Sequence, residues 1–194
     1  MKKVAAWALG FWMSASLTAH EMPWLLRGRL VQPQLSYMPN PGEFSMDQKR
    51  MPEVDLSYFF SENLAVEFSF TALSSQRVYR DSLPIGTFDN LPPSLLAQYH
   101  ITRWRAIKPY VGAGIAYTKT STLHFDSPNF PVAVDPRSWG VARQVGVDIP
   151  FNQTWSLNVD WKKARFNAFI ATPLFSVDSR VTLRTASVGL GYRF

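Results

Sequence analysis

The chain has 194 residues, a formal net charge of +6 and no cysteine. The lack of cysteine excludes disulfide bridges and thiolate metal sites. Its basic residues form no runs with interleaved aromatic residues, which argues against nucleic-acid binding.

Residues 1–19 have the pattern of a secretory signal peptide. Two lysines follow the first methionine, an apolar stretch runs to Leu17, and Ala19 precedes the expected cleavage. The stretch is too short for a transmembrane helix, which needs about 20 apolar residues. Leu17 is larger than the small residue usual two positions before the cleavage. We expect export and a mature domain at residues 20–194, whose net charge is about +4 after loss of the two lysines (+6 minus 2).

No other run could cross a membrane as a helix, so a membrane-spanning structure would have to be a closed β-barrel. The mature chain of about 175 residues is long enough for eight strands of about ten residues with their connections.

Four segments in the first half of the mature chain alternate with a period of two, which predicts strands. They cover about residues 24–37, 53–60, 64–71 and 91–101. A loop follows the first segment, Ser61-Glu62-Asn63 predicts a tight turn, and a second long loop covers 75–90. The prolines at the start of the fourth segment are tolerable because the first residues of a strand need not complete the ladder.

Four further strands are predicted in the second half, at about 109–118, 138–149, 155–162 and in the segment that ends at Phe194. Turns are predicted at 103–108 and 151–153, with long loops at 119–137 and 168–179. The inward positions of the fifth strand are small: Gly112, Gly114 and Ala116.

The closing strand has one apolar face, made of Ala186, Val188, Leu190, Tyr192 and Phe194. A globular edge strand could show the same alternation. The aromatic end resembles the C-terminal signal by which bacterial outer-membrane barrels are recognised, so we expect Tyr192 and Phe194 to contact the barrel-assembly machinery. We also expect this strand to pair with the strand near Trp24.

Three short turns and four long loops that alternate between eight strands are typical of an outer-membrane barrel with its short turns in the periplasm. The polar faces are too charged for a dry core, but they suit a lumen in which the groups pair with each other and with water. Arg143 departs from this pattern because it points outward, which indicates either a position near the outer-leaflet interface or an error of register. The predicted lumen-lining residues are Arg27, Arg29, Asp55, Glu67, Ser69, Leu96, Gln98, His100, Gln144, Asp148, Asp160, Lys162 and Arg193.

Aromatic residues near the strand ends are typical of the belt at a membrane interface. We expect the partners to include outer-membrane lipids and lipopolysaccharide, with which a positive net charge is compatible. The predicted periplasmic belt consists of Trp24, Tyr58, Phe60, Trp155, Tyr192 and Phe194.

Four stretches resemble the OmpW family in their order and spacing: Leu91–Gln98, Lys108–Ile115, Ser138–Asp148 and Gly191–Phe194. The resemblance implies an all-β, eight-stranded antiparallel transmembrane barrel in the outer membrane, with both termini in the periplasm. It also implies that small hydrophobic molecules enter the lumen and leave it sideways into the membrane, and family members are described as small ion-conducting pores. A Leu and a Trp associated with a hydrophobic constriction in the family correspond here to Ser69 and Lys162. This difference weakens the inference that the apolar constriction of the family is present in this chain. Leu25, Phe59 and Leu96 remain as inward apolar residues that could form one.

Two histidines are candidate functional groups. His100 faces inward and could line a permeation path and titrate near neutral pH, but we favour a simple hydrogen-bonded role in the lumen. His124 lies in the third loop with only Asp126 nearby, and we expect it to be a surface residue. A catalytic set of Ser94, a histidine and Glu67 would need a geometry that nothing in the sequence indicates.

We therefore expect a narrow outer-membrane passage for small hydrophobic or amphipathic solutes, with no enzyme activity and no cofactor. The alternative is a structural or surface-interaction barrel that transports nothing and whose loops form a binding or receptor surface. The inward charges could set ion selectivity, but we favour a structural pairing network that fills the lumen.

Overall fold

The computed structural model describes residues 22–38, 44–46, 49–71, 75–80, 83–89, 93–119, 124–125, 133–134, 137–171 and 176–194. The predicted signal peptide at 1–19 lies outside these residues. All regular structure in the described part of the chain is β. No helix in these ranges has the length and apolar character needed to cross a lipid bilayer.

The described residues contain thirteen strands. They are β1 (Trp24–Met38), β2 (Phe44–Met46), β3 (Met51–Phe59), β4 (Leu64–Thr71), β5 (Ser75–Arg80), β6 (Leu83–Asp89), β7 (Ser94–His100), β8 (Lys108–Lys119), β9 (His124–Phe125), β10 (Ala133–Val134), β11 (Arg137–Pro150), β12 (Trp155–Ala171) and β13 (Ser176–Arg193).

Eight of these strands form a closed antiparallel barrel in the order β1-β3-β4-β7-β8-β11-β12-β13, and β13 pairs with β1 to complete the ring. Trp24 and Phe194 exchange two backbone hydrogen bonds of 3.0 Å at the seam. The predicted eight-stranded barrel is confirmed, as is the pairing of the closing strand with the strand near Trp24. Closure leaves no free strand edge, which is what a spanning sheet requires in hydrocarbon.

Short connections join the barrel strands at one end. Ser61 Oγ accepts the N–H of Leu64 at 3.1 Å in the β3–β4 turn. In the β11–β12 turn, Asn152 Oδ1 accepts the N–H groups of Thr154 and Trp155 at 2.8 and 2.7 Å. The predicted turns at 61–63 and 151–153 are therefore confirmed. In outer-membrane barrels the end with short turns faces the periplasm.

The long connections at the opposite end were predicted as loops, and this was wrong for parts of them. Strands β5 and β6 lie within the predicted loop 75–90 and form a separate four-stranded sheet with β2 and β9. The predicted loop 168–179 is also too long, because β12 continues to Ala171 and pairs there with Ser176 of β13. Outside the hydrocarbon region of the bilayer a strand needs no apolar face. Its backbone hydrogen bonds can therefore continue beyond the point where the alternation of apolar and polar side chains ends.

The outer face carries the apolar side chains of the barrel strands, many of them about half exposed. The predicted periplasmic aromatic residues contact one another: Trp24 with Tyr58, with ring centroids 4.8 Å apart, and Trp155 with Tyr192, 5.0 Å apart. Arg143 is exposed on this outer face, so the predicted register of its strand is correct.

Candidate functional site

The lumen is occupied in its middle by one connected network of charged and polar side chains. Three cations face five carboxylates, and every one of these eight residues is at most 8% exposed. Seven of the eight barrel strands contribute side chains to this network. The ion pairs join Arg27, Arg29 and Lys162 to Glu53, Asp55, Glu67, Asp148 and Asp160.

Arg27 of β1 is fully buried and spans the lumen. Its Nη2 atom donates to Asp148 Oδ2 of β11 at 2.8 Å, and its Nη1 atom lies 3.2 Å from both Asp55 and Glu67. The Nη1 atom also donates to Ser57 Oγ at 3.0 Å. A buried guanidinium is tolerated only when its fixed set of donors meets charged acceptors in this way.

Glu67 of β4 is the centre of the network. It accepts hydrogen bonds from Arg29 at 2.9 Å, from Gln98 at 2.8 Å and from Gln144 at 2.9 Å, besides its contact with Arg27. Because these donors come from three other strands, β1, β7 and β11, Glu67 connects opposite walls of the barrel.

Lys162 and Ser69, the two positions where the family resemblance places an apolar constriction, face each other across the lumen. Lys162 Nζ donates to Ser69 Oγ at 2.8 Å and to Ser94 Oγ at 3.3 Å. It also lies 3.7 Å from Glu53 and from Glu67. At these positions the chain therefore carries a polar bridge between β12 and the β4–β7 wall.

Aromatic and amide groups complete the network on its periplasmic side. Tyr110 donates to Asp160 at 2.9 Å, and Asn158 donates to Tyr110 at 3.0 Å and to Asp148 at 2.9 Å. His100 lies 3.0 Å from Gln98 Oε1 and stacks on Tyr110 with ring centroids 4.8 Å apart.

Glycines in the wall make room for these side chains. A Cβ atom at Gly146 would overlap the phenol of Tyr110, and one at Gly189 would lie 2.8 Å from Cγ of Arg29. At Gly112 the nearest atom is Oε1 of Gln144, at 2.9 Å. The small inward residues are therefore required by the large polar side chains on neighbouring strands.

An apolar layer covers the extracellular side of the network. On several strands the inward residue next to a network residue, two positions closer to the outside, is apolar: Val31 after Arg29, and Ala164 after Lys162. We call this set the apolar layer; its buried members are Val31, Met51, Leu96, Ala116, Ala142, Ala164, Phe166 and Leu183.

A cavity of about 550 Å³ lies at the periplasmic mouth, below the network. His100, Asp148 and Arg193 are among its lining residues. The guanidinium of Arg193 lies 4.2 Å from the ring centre of Phe59, and its Nε atom donates to the carbonyl of Met22 at 3.0 Å. A second small apolar cluster of Leu25, Phe59 and Ala65 is buried at this level.

The predicted lumen residues all face the interior of the barrel, but they lie at different heights along its axis. Most of the predicted polar set lies in the central network, Arg193 lies at the periplasmic mouth, and Leu96 belongs to the apolar layer. Of the apolar layer, the sequence identified only Leu96 as lumen-lining and Ala116 as an inward position. The predicted lumen set also left out Glu53, Tyr110 and Asn158. Val31, Tyr110 and Ala142 fall on the inward side of their predicted strands, so strand register alone could have identified them. Met51, Ala164 and Phe166 lie beyond the ends of the predicted strands.

Ser94 and His100 do not form a catalytic pair in the structure. Ser94 and His100 are six residues apart on one strand, about 20 Å at 3.4 Å per residue. Ser94 instead shares a 2.6 Å hydrogen bond with Ser69. Among the residues that the structure describes, no group of three or more His, Asp or Glu side chains could hold a metal ion. Only the backbone of His124 is described, and Asp126 lies outside the described residues.

Known proteins resemble this chain over most of its length. The family model of the OmpW family matches residues 31–194. An uncharacterised outer-membrane protein of Sinorhizobium fredii is 36% identical over 73% of this chain, and the match spans 64% of that protein. Outer membrane protein W of Escherichia coli is 31% identical over 82% of each chain.

A solved barrel has the same fold. The crystal structure of OprG from Pseudomonas aeruginosa matches with a TM-score of 0.68 at 22% identity, covering 89% of this chain and 96% of that one. Together with the closed barrel and its apolar outer face, these matches place the protein in the outer membrane. The chain belongs to the OmpW family of outer-membrane proteins.

Proposed function

We propose that the barrel carries small hydrophobic or amphipathic solutes from the outside into the outer membrane, by way of the extracellular half of its lumen. The observation that carries the proposal is the order of layers in the lumen, in which an apolar layer lies outside a buried network of charges. Solutes that enter from outside meet Phe166 and Leu183 before they meet Lys162.

The central network opposes passage straight through the barrel. Arg27, Glu67 and Gln98 are fully buried, and any solute that followed the axis would have to separate their ion pairs and hydrogen bonds. Removing one partner of a buried ion pair costs about 3–5 kcal/mol. An apolar solute has no charged or polar group that could take the place of the lost partner. A sideways route avoids this cost.

The seam between β4 and β7 offers such a route. Paired residues on these strands end at Ser69 and Ser94, although β4 continues to Thr71 in pairing with β3. The residue before Ser94 is Pro93, whose carbonyl accepts the N–H of Tyr117 on β8. Among the described residues, the pairing of β4 with β7 does not continue beyond Ser69 and Ser94 towards the extracellular end.

Uptake by lipid vesicles tests the route. We expect vesicles that contain the purified protein to take up a small apolar solute faster than empty vesicles, while ion conductance in planar bilayers stays low. Absence of both uptake and conductance would refute transport.

Substitution of the two residues of the polar bridge, Ser69 and Lys162, tests whether they control the passage of solutes. The double variant Ser69→Leu/Lys162→Trp extends the apolar layer onto the positions of the bridge, so we expect faster uptake of apolar solutes. Arg103→Trp, on an exposed periplasmic turn, makes a similar exchange outside the lumen and should leave uptake unchanged. Equal rates in wild type and the double variant would show that these two positions do not control passage.

The alternative function, a non-transporting barrel whose loops bind a partner, is supported by the extracellular sheet of β2, β5, β6 and β9. Replacing residues 75–89 with a short turn separates the two functions. Transport predicts that uptake continues without this hairpin, whereas surface recognition predicts that only adhesion or receptor activity is lost. We propose no catalytic role, because Ser94 and His100 lie at opposite ends of β7, about 20 Å apart.

A further inference from the structure

Four basic residues lie together on the outer, membrane-facing surface of the barrel, on β11, β12 and β13. Arg143 is directly opposite Lys163 in the register, and Lys163 is directly opposite Arg184. Arg165 is the next residue on the same face of β12. Arg143, Arg165 and Arg184 are exposed, and Lys163 is half-buried. We call these four residues the outer basic patch.

The patch is unlike the charged network inside the barrel. Inside, each cation contacts carboxylates, whereas no residue of the outer basic patch forms an ion pair with a described residue. Like charges that are directly opposite on neighbouring strands repel each other, and basic side chains on the lipid-facing surface of a barrel are destabilising near the bilayer centre. The arrangement of four neighbouring cations therefore predicts an anionic partner from outside the chain.

The height of the patch identifies the environment of that partner. On β12 the outward residues are Trp155 at the periplasmic interface, then three apolar residues up to Trp161, then Lys163 and Arg165. At 3.4 Å per residue and a tilt of about 40°, Lys163 lies about 20 Å and Arg165 about 26 Å above Trp155. The apolar band of such barrels is about 25 Å tall, so the patch reaches the headgroup level of the outer leaflet.

We propose that the outer basic patch binds phosphate groups of the phosphorylated glycolipid of the outer leaflet, the lipid A part of lipopolysaccharide. Guanidinium groups bind phosphate through two parallel hydrogen bonds, and a phosphate between the strands would remove the repulsion among the four cations. Tyr117 and Trp139, whose rings lie 4.9 Å apart, flank the patch at the same interface and provide aromatic contacts for the sugar and acyl region. The proposal does not depend on the transport route.

Binding of lipopolysaccharide to the intact barrel in a zwitterionic detergent tests the site. We expect the double variant Arg165→Gln/Arg184→Gln to bind lipopolysaccharide about ten-fold more weakly than wild type. The matched variant Arg103→Gln/Arg105→Gln removes two exposed charges from a periplasmic turn and should bind as wild type does. Circular dichroism and heat-modified gel mobility establish that each variant is folded; if the double variant does not fold, the single variants Arg165→Gln and Arg184→Gln replace it, each with an expected loss of several-fold.

Two further ligands identify the recognised group. Lipopolysaccharide from which the lipid A phosphates have been removed should bind wild type as weakly as the intact lipid binds the double variant. Equal affinity for the intact and the dephosphorylated lipid would overturn the proposal, as would an equal loss in both double variants. Inorganic phosphate should not compete at concentrations that saturate the lipid site; effective competition would show that the patch binds free phosphate rather than the lipid.

Discussion

At the scale of single residues, the interior of this barrel depends on matching large polar side chains with small neighbours. Glu67 receives donors from Arg29, Gln98 and Gln144, and Tyr110 occupies the space that a side chain at residue 146 would need. A buried polar network is stable only when nearly every group has a partner. Displacement of one member should therefore weaken the others.

The exchange of glycine for alanine at two wall positions tests this dependence. Gly146→Ala places a methyl group against the phenol of Tyr110 and disturbs its 2.9 Å hydrogen bond to Asp160, so we expect a loss of about 1–3 kcal/mol in the free energy of unfolding. Gly28→Ala makes the same chemical change on the outer face, where no atom lies within 4 Å of the new Cβ. We expect it to be neutral or slightly stabilising.

Urea unfolding in lipid vesicles, followed by tryptophan fluorescence, provides both free energies. A similar change in the two variants would contradict close packing of Tyr110 against the wall. A loss at residue 146 that disappears in the background Tyr110→Phe would assign the cost to the hydroxyl group rather than to the ring.

At the scale of strands, the alternation of side chains predicts the barrel elements but not their extracellular ends. The prediction is good for β4, where Leu64, Val66, Phe68 and Phe70 share the outer face. It is too short for β12 because Lys163 and Arg165 interrupt the apolar face before the strand ends. The partners within the network were also beyond prediction, since Arg27 and Asp148 are 121 residues apart and only barrel closure brings them together.

The end of β13 is predicted to act in assembly as well as in the folded barrel. Tyr192 stacks on Phe194 with ring centroids 5.9 Å apart, and both lie on the outer face. Phe194→Ala removes the aromatic end but leaves the backbone hydrogen bonds with Trp24 available. We expect less folded protein in the outer membrane of cells, with near-normal spontaneous folding into vesicles.

The comparison of the two folding routes separates the roles of the aromatic end. Val188→Ala, on the same face of β13 but away from the chain end, is the matched control and should have little effect in cells. If Phe194→Ala folds as slowly in vesicles as in cells, the residue contributes to barrel stability and not to recognition by the assembly machinery.

At the scale of the whole molecule, the barrel wall has unequal height. Strands β11, β12, β13 and β1 have 14 to 18 residues, whereas β3, β4 and β7 have only 9, 8 and 7. The connections above the short strands pair with one another in a separate sheet. The low side of the wall thus coincides with the seam proposed as the lateral exit.

A disulfide across this seam tests the exit directly, because the chain contains no cysteine that could compete. Phe70→Cys/Pro93→Cys places two thiols one step beyond the last pair, Ser69 and Ser94. Facing residues on antiparallel strands lie about 4.5–5.5 Å apart, within the range for a disulfide. Oxidation should close the seam and lower the uptake of apolar solutes several-fold, and a reducing agent should restore it.

The matched pair Phe68→Cys/Leu95→Cys joins the same two strands at a position that is already paired. Its oxidation should leave uptake unchanged, because the wall is closed there before the disulfide forms. The oxidised fraction of each variant is measured by its gel mobility before transport is compared. If the first pair oxidises fully and uptake persists, solutes leave the lumen elsewhere. If both pairs reduce uptake equally, the disulfide acts through general stiffening of the barrel rather than through closure of an exit.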